Sequence, residues 1–116
     1  MQPETVLMVT RSRGNLAGVF EFDGDTSYFY FWRQSDDYRV LGAIHIATGK
    51  PDFGESDLDV RWYARDERVG LFVRNELWAA FDAETGTTAG GDYRSDERPI
   101  LPPWASHGLG PERLDS

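Results

Sequence analysis

The sequence predicts an all-β fold: an antiparallel meander sheet or a small two-layer β sandwich or open barrel of six or seven strands, with an irregular C-terminal arm. Three observations carry that expectation. Two aromatic-rich runs flank Asp23-Gly24 between Leu16 and Trp32, apolar and polar residues alternate over Tyr38–Thr48 and Asp57–Arg65, and no helix-period segment of ten or more residues stands out.

Thr5 to Thr10 is a short apolar run and reads as a first strand, closed by a turn over Arg11 to Asn15 where Ser, Gly and Asn cluster. The strongest local signal follows. Gly-Val-Phe-Glu-Phe leads into Asp23-Gly24, a dipeptide that accepts the positive φ of a tight turn, and Tyr-Phe-Tyr-Phe-Trp returns. Side chains alternate faces along a strand. A two-residue loop pairs Phe22 with Asp25, a four-residue loop pairs Phe22 with Ser27, and both keep the same parity. Phe20, Phe22, Phe29 and Phe31 then share one face, and Val19, Glu21, Tyr28, Tyr30 and Trp32 share the other. A three-residue loop with a bulge would break this partition. The all-Phe face has no polar handle and belongs in a core, whereas Tyr and Trp can bury a ring with O–H or N–H near water.

Gln34 to Asp37 reads as a loop, and Tyr38 to Thr48 as a strand with Val40, Gly42, Ile44 and Ile46 on one face and Leu41, Ala43, His45 and Ala47 on the other. Thr48 to Ser56 is turn chemistry. Asp57 to Arg65 alternates most cleanly: Leu58, Val60, Trp62 and Ala64 inward, with Asp57, Asp59, Arg61, Tyr63 and Arg65 on a wet face. Asp66 and Glu67 turn the chain into a strand over Arg68–Arg74, and Asn75 and Glu76 turn it into another over Leu77–Asp82. A two-residue turn there places Trp78 and Ala80 with Val69, Leu71 and Val73; a bulge places Leu77, Ala79 and Phe81 there. The expected organisation is one β domain over residues 1–86 and an irregular arm over 87–116, packed in part on the sheet. Four of the six prolines lie from Pro99 onward, and Ile100, Leu101 and Trp104 are expected to dock.

With 116 residues the chain has the length of one domain, and with no cysteine it has neither disulfides nor thiolate chemistry. The formal charge is −8, with nine acids against five bases before Asp59 and eleven against seven from there on. Such a field repels phosphate backbones and argues against nucleic acid, while it favours a basic protein partner. No run approaches a membrane span and the N-terminus lacks a secretory pattern, so a soluble cytoplasmic protein without membrane contact is the expectation.

Catalytic signatures are absent from the sequence, and neither a cofactor nor a metal is expected. His45 and His107 belong to no ligand spacing, and the acids Asp52, Glu55, Asp57 and Asp59 lack the order of a calcium loop. No serine sits in a nucleophile elbow, so Ser27, His45 and Asp59 make no recognisable triad. Asp23 and Asp25 are turn residues without a cleft. Gly90-Gly91 precedes Asp92 rather than a helix start, which leaves phosphate cradling unsupported. Two sets of residues remain: an aromatic binding surface of Tyr28, Tyr30, Trp32 and Glu21, and pocket residues His45, Asp57 and Asp59.

The order Gly18-Val-Phe-Glu-x-Asp-Gly-Asp-Thr-x-Tyr-Phe-Tyr30, Leu41-Gly-Ala-Ile-His-Ile46, Val60-Arg-Trp62, Arg68-Val-Gly-Leu71 and Ala80-Phe-Asp82 resembles a bacterial family of small uncharacterised β-rich proteins, a domain-of-unknown-function family. The resemblance covers about Gly18 to Asp82 and implies a compact bacterial β domain but no reaction. The functional expectation is a small acidic protein-binding module, extending to an immunity-type inhibitor of a basic toxin. The alternatives are a small-ligand-binding domain or hydrolase using His45, and a homo-oligomer, a homodimer in the simplest case, built through the Tyr28, Tyr30 and Trp32 face.

Overall fold

A computed structural model describes residues 4–35, 37 and 39–109. The expected strand start at Tyr38 and the last part of the arm, residues 110–116, lie outside the described residues. The fold is a β sandwich of two four-stranded antiparallel sheets, not closed into a barrel. The first sheet runs in chain order through β1 (Thr5–Thr10), β2 (Leu16–Phe22), β3 (Thr26–Arg33) and β4 (Arg39–Thr48). The second does the same with β5 (Leu58–Tyr63), β6 (Arg68–Val73), β7 (Glu76–Asp82) and β8 (Thr88–Gly90). A 3-10 turn at Glu55–Asp57 leads from one sheet to the other.

The central hairpin follows the four-residue alternative, with Phe22 opposite Ser27 and Phe20 opposite Phe29. The Asp23 carboxylate accepts the amides of Asp25 and Thr26 at 2.9 and 2.8 Å, which closes the turn. Phe20, Phe22, Phe29 and Phe31 are all buried, facing Val60, Val69, Leu71, Ala79 and Phe81 of the second sheet. The Phe81 ring centroid lies 5.4 Å from those of Phe29 and Phe31, beneath Gly42, where a β-carbon would come within 2.7 Å of the ring. The Trp62 indole N–H donates to the Val9 carbonyl at 2.9 Å and ties β5 to β1 across the layers.

Several expected facings change at bulges. Register shifts between Ser27 and Tyr28 and between Phe31 and Trp32 each leave one β4 residue without its own partner. Val40 therefore lies opposite Trp32 instead of joining Gly42, Ile44 and Ile46, and is 54% exposed, while Ala47 comes opposite Ser27. In β7 a third shift, at Leu71/Phe72, sets Ala79 and Phe81 opposite the core residues Leu71 and Val69 and Leu77 opposite Phe72, and Trp78 joins the core as well. The turn between β6 and β7 is Arg74-Asn75, both at positive φ, the geometry that matches the twist of paired strands.

The stretch after Thr85, expected to lack regular structure, supplies an eighth strand, β8, and one helical turn, α1 (Pro103–Ser106). It also changes the second sheet's outer face. Tyr63, expected on a wet face, is 7% exposed, because Leu101, Trp104, Ala105 and Leu109 build a second apolar cluster over Tyr63, Phe72, Leu77 and Ala80. The Tyr63 hydroxyl donates to the Ala105 carbonyl and Arg68 to the His107 carbonyl. Ile100 does not dock; it is 91% exposed. Pro102 and Pro103, which fix φ at the start of α1, aim Trp104 and Ala105 inward instead.

Candidate functional site

The arm packs on the second sheet, and among the described residues the exposed large apolar side chains other than Ile100 lie on β1 and β4 of the first sheet. The strict alternation of Tyr28-Phe29-Tyr30-Phe31-Trp32 puts the polar-tipped rings on that sheet's outer face. Tyr28 stacks on Tyr30 with centroids 5.7 Å apart and planes 19° apart, and Tyr30 lies 6.4 Å from Trp32. Glu21 is opposite Tyr28 in the register. Burial raises the Tyr30 hydroxyl above the ordinary phenol pKa, and the Glu21 carboxylate adds to the effect. Val6 and Met8 on β1, and Val40 and Leu41 on β4, flank the ring row and are exposed. The four named surface residues thus come together, and the strand neighbours that widen the patch were invisible from their own segments.

The ring row ends at His45. Its imidazole meets Tyr28 edge-on at 5.5 Å, so the histidine belongs to the same face as the tyrosines. Nδ1 lies 2.9 Å from an Asp92 carboxylate oxygen and Nε2 lies 3.0 Å from the Thr48 hydroxyl. Asp57 and Asp59, grouped with His45 on the sequence, make other contacts. Asp57 accepts the Gly54 amide and lies 3.6 Å from Arg74, and Asp59 pairs with Arg61.

Asp92 was missed because it is 47 positions from His45 and follows the end of β8. The signal available was Gly90-Gly91. Both take positive φ, and a β-carbon at Gly91 would come within 2.9 Å of the His45 carbonyl. With only hydrogens there, the backbone swings across the sandwich edge, and the Asp92 and Tyr93 amides donate to the His45 and Ile46 carbonyls. The carboxylate, imidazole and hydroxyl stand in the order of an acyl-transfer relay. Thr48 and Asp92 are exposed and His45 half-buried, however, and none of them lines the cleft beside Arg61 and Arg74 or the one beside Arg11 and Glu67. The cluster acts as a pin that fastens the second sheet's last strand to the edge of the first.

Among the described residues, no three His, Asp or Glu side chains gather as a metal site, and no helix is long and apolar enough to cross a membrane. Comparison of the chain with protein-family models, curated proteins and solved structures finds no match.

Proposed function

We propose that this protein is a binding module that docks a basic protein partner on the outer face of its first sheet, inhibition of a toxin in the manner of an immunity protein being one form of that role. One observation carries the reading. The two sheets are treated differently: the second is capped by the chain's own arm, whereas the first presents Val6 at 61%, Met8 at 45% and Val40 at 54% exposure around a stacked aromatic row. Tyrosine and tryptophan anchors with polar tips are the residue types that dominate interface energetics. The charge of −8 supplies attraction for a basic surface and speeds encounter.

The test is affinity capture from the native host with the wild-type chain and with Val6→Lys/Val40→Lys, exposed positions where a positive charge leaves the core intact and repels a basic partner. A defined basic partner retained at physiological salt by the first and lost by the second supports the reading. Capture of nothing specific, or of the same proteins by both, overturns it, and so does a concentration-dependent dimer that the double substitution dissolves.

A second reading follows from the Asp92–His45–Thr48 geometry: general-base activation of the Thr48 hydroxyl toward small esters. Hydrolysis of p-nitrophenyl acetate that falls to the buffer rate in both His45→Ala and Thr48→Ala would support it.

A further inference from the structure

A cleft of about 980 Å3 lies on the other side of the molecule, between the outer face of β5–β7 and the C-terminal arm. In a chain with twelve basic residues and twenty acids, four arginines line this one cleft, Arg61, Arg65, Arg74 and Arg98, against two acids in the lining, Asp66 and Glu76. We propose that the cleft binds a small planar organic anion, a carboxylate or phosphate carried on an aromatic or similarly flat group.

Two of the arginines are fixed in place. Arg61 has its guanidinium carbon 4.2 Å from the centre of the Phe72 ring and donates to Asp59 and Asn75. Its inner face is taken by Phe72, so its outer face is a platform for another flat group. Arg74 donates to the Tyr93 hydroxyl and the Asp52 carbonyl and lies 3.6 Å from Asp57. A guanidinium carries five N–H donors, and these partners leave some free on each fork. Arg65 and Arg98 stand exposed at the rim, Arg98 3.1 Å from Glu76. Arg65 is held there by a turn in which Ala64, Arg65 and Asp66 all take positive φ, at 54°, 59° and 65°. Non-glycine residues rarely adopt that conformation once, and strained backbone concentrates where side chains must be aimed. Planar forks beside a stacking surface recognise flat anions through paired hydrogen bonds, which a point charge on a lysine would not supply.

The experiment titrates the isotopically labelled full chain with phenyl phosphate and, separately, with inorganic phosphate, followed by amide and arginine side-chain NMR shifts. Phenyl phosphate is expected to give saturable shifts at residues 64–66, at Arg74 and Asn75 and at the Arg61 side chain, and to bind about tenfold or more tighter than inorganic phosphate. Arg65→Ser/Arg98→Ser, at exposed positions, is expected to weaken it by about tenfold or more with the spectrum otherwise preserved. The absence of saturable shifts, shifts confined to another surface, equal affinity for the two probes, or an unaffected double variant would each overturn the assignment. The substitutions that test the partner surface, Val6→Lys and Val40→Lys, lie on the opposite sheet, so either proposal can fail without the other.

Discussion

Tyr63→Phe removes one oxygen atom from the joint between β5 and the C-terminal arm, and its cost follows from that joint's geometry. The hydroxyl is buried and donates to the Ala105 carbonyl, which would be left without this donor under the second apolar cluster. The loss expected at neutral pH is therefore about 1 to 3 kcal/mol, the range for a buried hydrogen bond whose acceptor is orphaned. The pH dependence gives a sharper test. Burial pushes the Tyr63 phenol up to about 12, with Arg68 opposing the rise and Asp82 adding to it. A folded-state pKa above the unfolded value of 10.0 means that the fold prefers the neutral phenol. That contribution is complete below pH 10 and is lost as pH rises toward 12, by about 1.4 kcal/mol at pH 11 in the absence of solvent screening. The phenylalanine variant has nothing to titrate at this position. Urea unfolding followed by tryptophan fluorescence, at neutral pH and at intervals up to pH 11, should show the wild-type advantage shrinking only above pH 10. An advantage that stays constant over that range would refute the claim that this hydroxyl is held neutral by the docked arm.

Gly91→Ala should destabilise by about 2 kcal/mol or more, since it combines a φ of +109° with a β-carbon 2.6 Å from the Ile44 side chain; the unfolding midpoint checks it. Phe29→Ala, which empties a fully buried site against Phe81, should cost about 3 to 5 kcal/mol by the same measurement. The Asp23 carboxyl is held below its ordinary pKa by the Thr26 and Asp25 amides, so its contribution is complete above about pH 4 and fades as pH falls through the lowered value. Asp23→Asn should accordingly flatten part of the acid limb of the stability profile, measured by fluorescence at successive pH values.

The part of the structure written in a two-residue period is legible in the order of the residues. The sorting of Phe20, Phe22, Phe29 and Phe31 inward from Tyr28, Tyr30 and Trp32 follows from strand geometry alone, because either even loop preserves it. Tertiary structure decided what local alternation does not encode. Bulges moved Val40 off the core face and turned Ala79 and Phe81 onto it, since an extra residue is accommodated only where the facing sheet leaves room. The covering of Tyr63 and Phe72, the pairing of His45 with Asp92 and the gathering of four arginines in one cleft depend on segments far apart in the chain. Those meetings are set by how two sheets and an arm bury their remaining apolar surface, and residue spacing along a strand carries no record of it.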